Sequence, residues 1–258
     1  MLTATPHVEL WAYTTVTPAM EKHMSRDPEA TDSEHLIEAA GRNCYDSFHR
    51  PNPKTAKNSD YIQSTLFDKD HGSISEHPNA TLFVTGVSRP FLTEFSRHRT
   101  FSFSVRSQRF VNEENANFIL PPAVRNLEEK KLEGASIFDS LTNVDAVEAA
   151  ISDATETAIS SYQTIVVELE RDLLNKGVGK FAARKQAREA ARSVLPNMVE
   201  THMVITANFR AWHEALTRRM APDADAEMRE VALLMWNTLT EVSPVIFPHR
   251  EELQQAQS

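Results

Sequence analysis

Apolar and polar residues alternate over residues 8–14 (VELWAYT), the pattern of a strand buried on one face. Leu36, Ile37, Ala40 and Cys44 recur at helical spacing instead, which predicts a helix over about 33–45 with Asp32 or Ser33 as its N-cap. A loop over 48–58 (FHRPNPKTAKN) follows, then a second helix over 59–69 that stops near Gly72. Alternation returns in ATLFVTGV (80–87). Ser88 and Pro90 then start a short helix, PFLTEFSRH, because proline is tolerated in a first helical turn. Val147, Ala150, Ile151, Ala154, Ala158, Ile159 and Tyr162 mark a long helix over about 144–175. FAARKQAREAARSV (181–194) reads as another, ended by Pro196. MVETHMVITA (198–207) alternates like a strand, Asn208 can cap a helix reaching Met220, and a last helix over about 225–242 ends before Pro244. Residues 112–142 read as a surface excursion. The expected class is α+β, a single domain over residues 1–258 in which helices predominate and strands are few.

Composition narrows the partners. A formal net charge of −9 over 258 residues argues against broad binding to nucleic acid or an anionic membrane, so any basic cluster is a local device for a particular anion. One cysteine, Cys44, leaves no disulfide framework and no multi-cysteine metal site, and fits a reducing compartment. The segment MLTATPHVELWAY lacks a basic stretch followed by an apolar one, so no signal peptide is expected. No apolar run reaches the roughly 18 residues of a membrane span, and the expected address is the cytoplasm. Six glycines form neither GxGxxG nor GxxxxGK[ST], so a phosphate here would be held mainly by side chains.

The densest charge lies in RHRTFSFSVRSQRF (97–110), where Arg97, His98, Arg99, Arg106 and Arg109 crowd together in an acidic chain. Guanidinium forks match phosphate oxygens, serine hydroxyls add donors, and Phe101 and Phe103 offer apolar or stacking surface for a flat ring. The bland alternative is an exposed basic face neutralised by Asp and Glu. In HGSISEH (71–77), His71, Glu76 and His77 do not have a zinc spacing and no third firm ligand follows, so turn and capping roles read better and no metal is expected. Arg184, Lys185 and Arg188, ahead of Arg192 in ARSVLPN (191–197), read as a solvated face. Trp212 and Arg219, seven apart, share one helix face. Cys44 has no adjacent base and reads as a small buried hydrophobe. These residues by themselves leave three readings open: an enzyme, a nucleotide-binding module, and a helical scaffold whose basic patch docks an acidic partner.

Arg97-His98-Arg99, seven residues, then Ser107 resembles the signature of the flavin-dependent thymidylate synthases. GRNCYDSF (41–48), PNPKTAKN (51–58), HGSISEH (71–77), ARSVLPN (191–197) and NFRAW…RRM…EMR (208–229) stand in that family's order and spacing, most like its actinobacterial members. The resemblance implies the thymidylate synthase-complementing protein fold, with a small, mostly antiparallel sheet. It implies a methyltransferase that makes dTMP from dUMP, with methylenetetrahydrofolate as carbon donor and NADPH-reduced FAD as hydride source, and no cysteine nucleophile. It implies a homotetramer whose active sites lie at subunit interfaces. Carried onto this sequence, FAD would meet Ser73, Arg97, His98, Arg99, Val105, Asn208, Arg210 and Glu214. The dUMP site would use Glu94, Arg97, Val105, Arg106, Ser107, Gln108, Arg109, Arg192 and Arg219. Arg219 and His71 would serve catalysis, the first beside the uracil ring. Three positions depart from the pattern. Val105 replaces a frequent Glu or Gln, so contact there is backbone or apolar; Glu214 replaces Asn or His, and Asp223 replaces His.

Overall fold

The computed structural model describes residues 3–132 and 143–251. Four strands form one antiparallel sheet in the order β1-β2-β4-β3: β1 (His7–Tyr13), β2 (Asn79–Ser88), β3 (Ser102–Val105) and β4 (Glu200–Asn208). The alternation in the sequence becomes burial. Leu82 and Val84 of β2 and Met203, Ile205 and Ala207 of β4 are buried, while Thr81, Phe83, Val204 and Thr206 are half-buried between them. In β3 exposed Ser102 and Ser104 alternate with half-buried Phe103 and Val105, but four residues are too few for the period to announce a strand, and this one was not expected.

The helices are α1 (Pro18–Glu21), α2 (Asp32–Asn43), α3 (Asn58–Ile62), α4 (Arg89–Phe95), α5 (Pro122–Leu132), α6 (Val144–Asn175), α7 (Lys180–Ala191), α8 (Phe209–Arg219) and α9 (Ala226–Thr240). The cap of α2 is Thr31 rather than Asp32 or Ser33. Its hydroxyl accepts from Glu34 N while the Glu34 carboxylate accepts from Thr31 N, a reciprocal capping box. Asp32 and Ser33 are engaged elsewhere, with Val16 N and the Thr14 carbonyl. The helix expected over 59–69 is regular only through Ile62; Gln63–Phe67 widen into a π turn.

Two compact units are distinguished. One comprises Met1–Pro6, Thr85–Glu94 and Val105–Met203. Within it α6 packs on α7 along the fully buried Ala183, Ala187 and Ala191. Ala116, Phe118 and Val199 make a small core with Ile159 and Met198. The supposed surface excursion is thus in part interior: Glu113, Ala116, Phe118, Ile119 and Leu120 are all buried, and residues 133–142 lie outside the described ones. Gly86, at φ +67°, is required by its neighbour, since a Cβ there would fall 1.8 Å from the Thr5 carbonyl oxygen.

The other unit comprises His7–Val84, Phe95–Ser104 and Val204–Ser258. Phe209, Trp212, Trp236 and Phe247 fill its centre, each at most 1% exposed. Trp212 Nε1 donates to the Ala80 carbonyl (3.2 Å), and Trp236 Nε1 to that of Pro248 (2.7 Å). Glu38, wholly buried, accepts from Arg42 Nε (2.6 Å), Arg50 Nε (2.8 Å) and Asn58 Nδ2 (3.0 Å). Removing that carboxylate would strand a buried guanidinium, a loss of about 3–5 kcal/mol. Cys44 is exposed, not buried as expected, because it lies one residue past the end of α2.

Candidate active site

In the second unit, the RHR motif follows the last residue of α4. Arg97, His98 and Arg99 therefore occupy the turn beyond the helix, with Arg97 and Arg99 exposed and His98 half-buried. An aromatic floor fixes this turn. The His98 ring lies 5.3 Å from Phe95 and 5.8 Å from Phe101, and Phe101 meets Trp212 edge-on at 4.7 Å. Phe101 is buried by that contact and gives no open stacking surface, contrary to expectation. Arg219, at the end of α8, donates through Nε to His98 Nε2 at 3.0 Å. The imidazole is therefore neutral and carries its proton on Nδ1. Burial, then Arg219 and Arg218, push the His98 pKa below its ordinary value.

A cavity of about 130 Å³ lies in the same unit, lined in part by Gly72, Ser75, Arg210, His213 and Glu214. Arg210 donates through Nε to Glu214 Oε1 (2.8 Å) and through Nη1 to Glu76 Oε1 (2.7 Å). Glu214 and then Glu76 raise its pKa further. Gly72 admits the guanidinium, because a Cβ there would stand 3.2 Å from Arg210 Cζ. Glu76, seen in the sequence as a turn residue or weak metal ligand, is an ion-pair partner instead, and no metal-holding group occurs among the described residues. Asn208 caps α8, its Oδ1 accepting from Ala211 N at 2.8 Å, so its amide NH2 is the end left to donate. His71 and Ser73 are exposed, on the turn that opens Gly72–Glu76.

Sequence reading missed His213, which shares the α8 face of Arg210 three residues earlier. It packs against Phe67 (5.7 Å) and Trp236 (5.4 Å), and burial, then Arg250, depress its pKa. Arg250 in turn lies over the Trp236 ring, its Cζ 4.1 Å from the centroid.

The first unit gathers a separate set of cations. Arg106 leaves β3 with its N–H on the His202 carbonyl (2.9 Å) and its Nη2 on Glu113 Oε2 (3.2 Å). Ser107 begins a turn in which its carbonyl accepts from Phe110 N and Val111 N. Arg109 pairs with Glu189 at 3.6 Å, and Arg192 lies on the single turn after α7. Glu94, Val105 and Gln108 are half-buried nearby in sequence. Two further groups escaped notice. Glu113 is fully buried, and burial raises its pKa against the pull of Arg106 and Arg89. Arg89, the first residue of α4, buries Nε and Nη2 without an acceptor. Neither carries a motif that a sequence would reveal.

Comparison with known proteins gives the family. The family model described as thymidylate synthase complementing protein matches residues 28–245. The flavin-dependent thymidylate synthase of Corynebacterium diphtheriae is 38% identical over 240 residues, covering 93% of this chain and 88% of that protein. That of Mycobacteroides abscessus is 39% identical over 212 residues, covering 82% and 77%. A crystal structure of thymidylate synthase X from Helicobacter pylori, with FAD and dUMP, covers 94% of this chain and 97% of that one at a TM-score of 0.57 and 22% identity, which speaks to the fold. The chain belongs to the flavin-dependent thymidylate synthases.

Proposed function

We propose that the protein methylates dUMP reductively to dTMP, taking carbon from methylenetetrahydrofolate, and that its two cation sets divide the ligands. The observation that carries the reading is the Arg219–His98 contact, which unites motifs 121 residues apart. The cavity beside Arg210, with donors on one wall and a glycine where a Cβ would intrude, suits part of a flavin nucleotide. Ser73, Arg97, His98, Arg99, Val105, Asn208, Arg210 and Glu214 would hold FAD, which when bound and reduced by NADPH supplies the hydride. Glu94, Arg97, Val105, Arg106, Ser107, Gln108, Arg109, Arg192 and Arg219 would hold dUMP, whose phosphate pairs with guanidinium groups and the Ser107 hydroxyl.

Arg219 places its charge beside the uracil, where it favours ionisation of the imide and stabilises enolate-like charge on the ring. A neutral His98 suits this role, since it accepts from Arg219 without adding a competing charge. His71 is assigned a supporting place near flavin and folate. At about 130 Å³ the cavity falls short of the ~300–1,000 Å³ of a complete small-molecule site, which supports sites finished by neighbouring copies in a homotetramer. We read residues 1–258 as a single functional domain, because the family match runs from 28 to 245. The cytoplasm is its proposed place, in keeping with one exposed thiol and no disulfide.

The test supplies dUMP, methylenetetrahydrofolate and NADPH and measures dTMP. Purified protein should be yellow and should bleach with NADPH under anaerobic conditions. Colourless protein that cannot be reconstituted with FAD would refute the reading. Sizing by light scattering should give four times 29.1 kDa.

A further inference from the structure

Residues 107–112, which include Ser107 and Arg109, run between two fixed ends. At the first, Arg106 N donates to the His202 carbonyl on β4 at 2.9 Å. At the second, Glu113 N donates at 3.2 Å to the hydroxyl of Tyr162, a wholly buried residue of α6. That hydroxyl donates in turn to Asn112 Oδ1 at 3.3 Å. Inside the loop, Phe110 N and Val111 N both donate to the Ser107 carbonyl. A side-chain bond then joins end to end, from Arg106 Nη2 to Glu113 Oε2 at 3.2 Å.

Burial sets this tie apart from the nearby Arg109–Glu189 pair. That pair spans 3.6 Å with side chains 42% and 49% exposed, a loose surface contact. The Glu113 side chain is 0% exposed and that of Arg106 22%, so the guanidinium edge that meets the carboxylate is turned inward. Glu113 Oε1 is buried without a donor, and the carboxylate is held through Oε2. A buried ion pair adds little net stability over an apolar pair of similar size, yet removing one partner strands the other charge. What the tie supplies is geometry. It orders in advance a loop whose ordering would otherwise oppose binding.

We propose that Glu113 is a positioning residue of the nucleotide site: with Arg106 it closes the base of the 107–112 loop and holds Ser107 and Arg109 ready for dUMP, so that Arg106 acts through the loop and not through its own guanidinium. This rests on the dUMP reading above, whereas the tie itself is measurable without nucleotide.

The test uses FAD-loaded protein, with flavin content and thermal melting as controls on folding. Hydrogen exchange at the Phe110 and Val111 amides reads the loop in the absence of dUMP. Glu113→Met should speed that exchange at least tenfold, raise the Kd and KM for dUMP at least fivefold and change kcat less than threefold. Glu113→Gln, which keeps an acceptor, should fall between it and wild type. Arg106→Met combined with Glu113→Met restores an uncharged pair and should bind dUMP at least threefold more tightly than Glu113→Met alone. A smaller recovery would overturn the proposal in favour of direct contact between Arg106 and the nucleotide. Smaller effects of Glu113→Met on exchange or on affinity would overturn it and leave the dUMP reading intact. Loss of flavin and of melting in both Glu113 variants would also overturn it, by marking Glu113 as structural. A wild type that neither binds dUMP nor forms dTMP would overturn the positioning role together with the dUMP reading.

Discussion

Arg219 Nε and His98 Nε2 stand 3.0 Å apart, with the arginine as donor and a neutral imidazole as acceptor. The His98 ring rests on an aromatic floor, 5.3 Å from Phe95 and 5.8 Å from Phe101, which in turn meets Trp212 edge-on. Replacing Arg219 by Ala should lower kcat by about 10²–10³, the usual effect of losing one preorganised donor, with dUMP binding still measurable. It should also raise the His98 pKa toward 6.5, because one of the cations that depress it is gone. Steady-state kinetics and imidazole NMR titration check the two halves separately.

Ser107 offers a hydroxyl at the head of a turn whose backbone is held by its own carbonyl. Ser107→Ala keeps those backbone bonds, loses the 3.4 Å bond that its Oγ accepts from Arg109 N, and deletes the donor proposed for the dUMP phosphate. The expected result is about tenfold weaker dUMP binding, or roughly 1.4 kcal/mol, with slow turnover retained. Complete loss of turnover in a variant that still binds dUMP would show a chemical role for the serine.

Much of this was legible because period and motif are local. The long α6, the strand before the RHR turn and the Asn208 cap all follow from residues within a few positions of one another. The cap of α2 was misplaced by one residue because Ser33 and Asp32 are drawn to Thr14 and Val16, partners no local rule identifies. Cys44 was misjudged because a helical period says nothing about where the helix ends. Phe101 was read as a platform because its partner, Trp212, lies far along the chain. Glu113 and Arg89 were invisible for a further reason: what marks them is burial without a partner, which only assembled neighbours create.

Gly72 and Gly86 make opposite predictions. At Gly72 an added Cβ would meet the far end of a flexible side chain, so Gly72→Ala should leave thermal stability within about 0.5 kcal/mol and weaken FAD binding by shifting Arg210. At Gly86 the obstacle is backbone and φ is +67°, so Gly86→Ala should destabilise by several times more. Flavin titration paired with urea unfolding distinguishes them; equal destabilisation would argue against the Arg210 contact.

His35 is fully buried with neither ring nitrogen bonded, and burial outweighs the pull of Glu38 to depress its pKa. The unfolded chain therefore binds a proton below about pH 6.5 that the folded chain refuses. Stability should be complete above that pH and fall as the solution is acidified through it. His98 and His213 act in the same direction. His35→Leu should flatten the decline in melting temperature between pH 7 and 5, and an unchanged slope would exclude this histidine as its source.

The segment after α9 is clasped to that helix at three points. Arg250 covers the Trp236 ring, Trp236 donates to the Pro248 carbonyl, and Asn237 exchanges two hydrogen bonds with the Arg250 backbone. Trp236 also meets His213, which lines the cavity proposed for flavin. The clasp is therefore a buttress. A change at Arg250 should be felt at the cavity proposed for flavin through two tilted rings, Trp236 and His213, and flavin retention would then measure how firmly the last described residues grip α9.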